Sequence, residues 1–219
     1  KAVWDEFQIV KKATILESWD MFSEVTKDGR ASDFVAPGDR LIGYWEVDGI
    51  YQPIPWEVLG IDQDEAVDGG VEHTVTLGSV DCLFSAMFDN AETGNPDTDR
   101  ASYGNNNWEL SNIRQYLNSE DVPFVHTPTH EWDSAPTGYP TNGFLARLHP
   151  TMRDVIVPVK KWTSLANIDV EGGVSDVQLD ETIFLLSQVE INGGTSSVGT
   201  VTNEFIYQRY VGAGYADRI

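Results

Sequence analysis

Apolar residues along the chain follow two periods. Near the N-terminal end Trp19, Phe22 and Val25 recur at threes, with Ser18 placed to cap the helix they define and Gly29 to stop it. Trp4, Phe7, Ile9 and Val10 form an earlier apolar stripe, so residues 1–35 are predicted to be a helical segment packed on a main body spanning 36–219. From Phe34-Val35-Ala36-Pro37-Gly38-Asp39 onward the period shortens to two. Leu41 to Val47 and Ile50-Tyr51 flank Asp48-Gly49, the strongest short-range signal for a hairpin. Pro53 and Pro55 interrupt, and Trp56 to Ile61 resumes the alternation. His73 to Leu77 and Cys82 to Phe88 predict further strands.

The second half is patterned less regularly. Gly143 to Met152 predicts a short helix interrupted near Pro150, and Asp154 to Lys160 a buried strand whose Pro158 marks an edge or a bulge. Residues 163–180 read as a polar loop. Thr182 to Leu186 predicts a central apolar strand ending at Ser187-x-x-Glu190, which has capping-box spacing. Residues 193–200, rich in Gly, Ser and Thr, are predicted to be a loop. Long helices do not alternate with strands, so the pattern favours an α+β fold, a mixed and mainly antiparallel sheet with short helices, over a doubly wound parallel sheet.

One stretch is patterned more tightly than the rest. Tyr103 to Ser119 runs through three asparagines into Leu110, Ile113 and Leu117, spaced as one face of a short helix. Asn107 is the predicted N-cap and Glu109 sits where the helix dipole favours negative charge. Arg114 falls one step off the apolar face, placed to hold a neighbouring carboxylate or backbone carbonyls and organise the fold.

Composition narrows the partners. The 219 residues are 41% hydrophobic, with 7 Trp, 8 Tyr and 9 Phe, which suits a packed globular protein. Against 35 acidic residues stand 14 basic ones, a formal charge of −21. Such a surface repels phosphate backbones and anionic lipid, and Lys160-Lys161 is too small a basic patch to reverse that; neither nucleic acid nor a membrane is an expected partner. No apolar run approaches transmembrane length. Cys82, the only cysteine, excludes an intrachain disulfide and sits in the apolar run Cys82-Leu83-Phe84, where it reads as a buried small hydrophobe.

Candidate chemistry is sparse. There is no G-x-S-x-G, no P-loop and no dinucleotide fingerprint. The polar stretch 89–107 holds Asp97-x-Asp99, a fragment of a calcium-binding pattern without its distal bidentate Glu, so calcium is the one metal considered and no cofactor is required. His126-Thr-Pro-Thr-His130-Glu131 has two imidazoles, but Pro128 between them breaks the helix a zinc hydrolase would use. Asn105, Asn106, Asn107 and Trp108 combine amides with an aromatic face, the groups that hold a sugar ring, and are the candidate ligand site.

Several stretches together resemble one known family, a domain of unknown function common in gut bacteria and in the structural proteins of their phages. The resemblance lies in Trp4-Asp5-Glu6-Phe7, Phe34-x-x-x-Gly38-Asp39, Pro55-Trp56-Glu57-Val58, Phe88-Asp89-Asn90-Ala91-Glu92, Trp108-x-x-Ser111-x-Ile113-Arg114-x-Tyr116-Leu117-Asn118, and Ile183-Phe184-Leu185-Leu186-Ser187-x-x-Glu190. It implies a compact α+β domain similar to the C-type lectin or formylglycine-generating-enzyme fold, with Arg114 and Glu190 in structural roles. Members continue past Glu190 to a Trp-Leu-Arg-Ser-Pro-like segment absent from this sequence, so either the domain extends beyond Ile219 or this member diverges there. The function expected from the resemblance is a non-enzymatic virion component, a capsid decoration, head-fibre or tail-associated domain that contacts other virion proteins and its own copies. The alternative is an adhesin module that binds a host surface glycan.

Overall fold

The computed structural model describes residues 18–165, 169, 176–192 and 205–211. It is a mixed α+β structure of short helices and two small antiparallel sheets. The stripe at Trp4 to Val10 lies outside the described residues.

Helix α1 (Trp19–Lys27) starts where the pattern places it, with the Ser18 hydroxyl accepting from the Met21 N–H at 3.4 Å. Phe22 is its buried residue, and with Ala31, Val35, Leu41 and Val58 it makes one core cluster. Gly29 follows at φ 70°, the left-handed conformation that glycine enters freely.

Strands β1 (Arg40–Val47) and β2 (Ile50–Ile61) form the predicted hairpin, and β3 (Val75–Ser79) adds to the far edge of β2. Asp48 and Gly49 both have positive φ, 51° and 79°, as the tightest hairpin turn requires. Contrary to the sequence pattern, Pro53 and Pro55 do not interrupt β2. β3 pairs only with Trp56 to Ile61, so both prolines lie where β2 has no strand on that side. The Pro55 carbonyl accepts there from the Val80 N–H at 3.1 Å, so its missing N–H faces away from β1 and breaks no ladder bond.

The main core forms where the hairpin meets the helices. Trp45, Ile54 and Trp56 pack against Ile113, Tyr116 and Leu117 of α3 (Asn112–Leu117), against Phe144 and Leu145 of α4 (Phe144–Arg147), and against Met152 of α5 (Pro150–Arg153). Between β3 and α3 lies α2 (Thr98–Tyr103). Arg147 lies over the Trp45 ring, 3.8 Å from its centroid, and donates to the Glu46 carbonyl, so its charge is answered inside the core. Strands β4 (Val159–Ser164) and β5 (Asp176–Glu181) make the second sheet, followed by α6 (Gln188–Asn192).

Four sequence expectations are corrected here. Cys82 to Phe88 is irregular rather than a strand, and Cys82 is exposed. The predicted strand at 154–160 begins only after Pro158, which lacks the N–H to pair, and the predicted loop at 163–180 contains β5. Thr182 to Leu186 is not a strand: the peptide N–H groups of Thr182 and Ile183 go to the Asn118 side chain at 3.0 Å each instead of to a neighbouring strand. Leu185 is accordingly exposed.

Gly43 tests the packing of the hairpin on the helices. A Cβ there would stand 2.6 Å from Trp56 Nε1 and 2.8 Å from Met152 Sδ. Gly43→Ala is expected to destabilise the domain by about 1–3 kcal/mol, the usual cost of overpacking, read as a lower urea midpoint with unchanged slope.

Candidate functional site

The asparagine-rich turn is built inward. Gly104, at φ 81°, closes α2, and a Cβ on it would meet the Asn90 carbonyl at 2.6 Å. The chain is thereby pressed against the loop at Asp89. The Asp89 carboxylate accepts from the Asn105 N–H at 2.7 Å and from the Asn112 N–H at 2.9 Å. Asn105 accepts from the Asn107 N–H, and Asn107 in turn from the Glu109 N–H. Asn105 and Asn107 are 2% and 1% exposed, so their amide oxygens serve the backbone while Asn107 Nδ2 donates to Asp169 Oδ2 at 3.1 Å, and only Asn106 of the three opens to solvent. The predicted single helix is also divided: Asn107 caps a 3₁₀ turn (Trp108–Leu110), and Ser111 caps α3.

Arg114 has the partner its position calls for. Its Nε donates to Glu181 Oε1 at 2.5 Å, and Glu181 is fully buried at the end of β5. Trp108 Nε1 donates to the same oxygen at 3.2 Å, and Asn118 Nδ2 to the other at 3.1 Å. Burial pushes the Glu181 carboxyl up, and Arg114 pulls it back. The knot ties α3 to the second sheet.

Of the predicted calcium pair, Asp97 is engaged by the backbone. Asp97 Oδ1 caps α2, accepting from the Asp99 and Arg100 N–H groups, and among the described residues no group of three or more histidine, cysteine or acidic side chains is placed to hold a metal ion. The two histidines meet different carboxylates. His126 Nε2 lies 3.1 Å from Asp133 Oδ1, and His130 Nε2 lies 2.8 Å from Glu92 Oε1. Glu92 is 0% exposed. Hydrogen bonds decide the Asp133 carboxyl: burial raises it, but the Thr129 N–H and hydroxyl, Asn112 and the His126 charge together hold it below the usual range. Asp89 shifts the other way, raised by burial against its backbone donors and further by Asp133 and Glu92.

Thr129, His130 and Glu92 line up as hydroxyl, imidazole and carboxylate, with Thr129 Oγ1 2.9 Å from His130 Nδ1. Asp133 Oδ2 accepts a hydrogen bond from that same hydroxyl at 3.0 Å. The row ties the loop at Glu92 to the loop that carries Thr129 and His130.

Glu190 is 3% exposed and makes the capping box in full: Oε2 accepts from the Ser187 N–H at 2.8 Å, and the Ser187 hydroxyl from the Glu190 N–H at 3.1 Å. Its other oxygen meets Lys161. Beside it opens a cleft of about 260 Å³ lined by Phe88, Trp108, Thr163, Leu179, Phe184 and Glu190. Trp108 is thus the predicted ligand residue that reaches a cavity. Residues that the sequence pattern did not mark are Asp133, Glu181, Asp64 and Tyr207. Each has at least one partner distant in sequence, so no local period signals it.

Fold and site together define an α+β domain whose interior is tied by buried polar contacts. The chain belongs to the family described as a domain of unknown function (DUF6273), which it matches over residues 82–209. No curated protein and no solved structure matches it.

The Arg114 knot carries a pH-dependent prediction. Arg114→Ala leaves a buried carboxylate without its counter-charge, held only by Trp108 and Asn118, and is expected to cost about 3 kcal/mol near pH 7. Glu181 titrates above its unfolded value, and more so without Arg114, so the folded variant regains its proton as pH falls toward that raised value. The deficit should therefore shrink as the pH is lowered from 7, read from urea melts across a pH series.

Proposed function

We propose that this chain is a non-enzymatic structural domain of a phage virion, a capsid decoration, head-fibre or tail-associated unit that acts through contacts with other virion proteins and with its own copies. The resemblance of its motifs to gut-bacterial and phage structural proteins supports the setting and a fold similar to the C-type lectin or formylglycine-generating-enzyme frame. The observation that carries the reading is the outward face of the hairpin. Ile42 stands opposite Pro55 and Tyr44 opposite Pro53, which puts all four on one side of the sheet. Ile42 is 50% and Tyr44 45% exposed, and Tyr51 packs beside them across His149, its ring 4.8 Å from the imidazole. An apolar patch held flat on a rigid sheet is what a contact surface needs. The buried acids are consistent with a non-enzymatic role, since Asp89, Glu92, Asp133 and Glu181 spend their oxygens on structural donors.

One feature favours a second reading, an adhesin module for a host surface glycan. Phe88 and Trp108 line the cleft beside Glu190, and an aromatic face there suits the apolar side of a sugar ring. A glycan array run with and without calcium tests it, and no binding in either condition removes it.

The principal reading predicts that the protein is found on purified virions by antibody labelling in the electron microscope. Its absence from virions overturns the proposal. Tyr44→Lys with Tyr51→Lys is expected to keep the melting temperature within a few degrees, because both rings are surface positions, while incorporation into virions falls at least several-fold.

A further inference from the structure

A cluster of buried charge lies between the two sheets, around Lys161. Its Nζ donates to Asp64 Oδ1 at 2.9 Å, to the Tyr207 hydroxyl at 3.0 Å and to Glu190 Oε1. Asp64 Oδ2 accepts from the Tyr207 hydroxyl at 2.6 Å and from the Thr76 hydroxyl. Aromatic rings close the site, with Phe184, Tyr207 and Phe205 centred 4.5, 5.2 and 5.3 Å from Nζ. An amine, a carboxyl group and a second carboxylate are thus held in contact, all three largely buried, with Lys161 and Glu190 at the wall of the cleft described above.

We infer that Lys161 and Asp64 close an intramolecular isopeptide bond, with Glu190 as the proton shuttle. Every group the condensation needs is in place. Glu190 accepts a proton from the Lys161 ammonium and passes it to Asp64 Oδ1. The freed amine attacks Asp64 Cγ while Tyr207 and Thr76 hold Oδ2 and stabilise the charge that develops on it. Burial, reinforced by the charges of Asp64 and Glu190, pushes the Tyr207 hydroxyl far up, so it stays a neutral donor throughout. Glu190 then takes a second proton from the nitrogen and delivers it to the Oδ1 hydroxyl, which leaves as water. The C–N bond forms, the C–Oδ1 bond breaks, and Glu190 returns to its carboxylate. No oxidant, metal or external energy source enters. The wall of rings favours the step, because the product replaces a buried ion pair with an uncharged amide.

The experiment is an intact-mass measurement on the purified full chain under denaturing conditions, followed by tryptic mapping. The expected mass is lower than the sequence mass by one water, and the peptides carrying Asp64 and Lys161 are recovered joined. Two masses whose ratio moves toward the lighter one on incubation also support the bond. The full sequence mass, unchanged after incubation, overturns it. So does a water loss mapped elsewhere, such as to a cyclised Asp48-Gly49, with the Asp64 and Lys161 peptides separate. Glu190→Gln keeps an acceptor for the Ser187 N–H but removes the shuttle, and it is expected to show the full mass while retaining the wild-type circular dichroism spectrum. A variant that dehydrates at the wild-type rate overturns the role of Glu190. Should Lys161→Arg or Glu190→Gln fail to fold, the wild-type peptide map decides the matter alone.

Discussion

Glu181 is a carboxylate with no exposure to water, and the way its charge is answered accounts for much of the surrounding architecture. Arg114 arrives from α3, Trp108 from the 3₁₀ turn before it and Asn118 from just after it, all on one carboxylate at the end of β5. Burying an unmatched carboxylate costs more than a domain of this size can spare. The requirement therefore sets where the helix lies against the second sheet. Asn118 extends the constraint by taking the N–H groups of Thr182 and Ile183, and this keeps an apolar run out of any strand.

The same logic recurs wherever the chain lacks a ladder of backbone bonds. Asp89 replaces secondary structure for the turn at Asn105 and the start of α3, while His130 and Glu92 join loops 38 residues apart in sequence. Lys161 gathers the segment after β2, the second sheet, α6 and the Tyr207 region onto one nitrogen. In a chain with 35 acidic residues, several acids are thus inside, each anchored by donors from segments distant in sequence. A frame tied in this way is rigid without long helices. It leaves the outer face of the hairpin free for contact, and it gives a covalent tie at Lys161 a place to form.

Much of the local structure was legible from the residues. The Asp48-Gly49 hairpin, the Ser18 cap and the Ser187 to Glu190 capping box depend on side chains and backbone within a few positions of one another, so their signals are local. Arg114 was legible as an organiser because its place beside an apolar face left few other uses for it. Its partner was not, since nothing near Glu181 marks it. Cys82 was misjudged for a related reason: an apolar neighbourhood in sequence does not guarantee an apolar neighbourhood in space.

By itself, then, the sequence determined the turns, the caps, the α+β class and the acidic character, all properties of neighbouring residues or of the total. Only the tertiary structure decided which polar residues face inward. Asn105 and Asn107 look like surface amides until Asp89 draws their turn against the loop, and Asp64, Lys161 and Glu190 are unrelated letters until three segments converge. The physical reason is that burial and charge pairing belong to contacts across the fold, and those contacts leave no period along the chain.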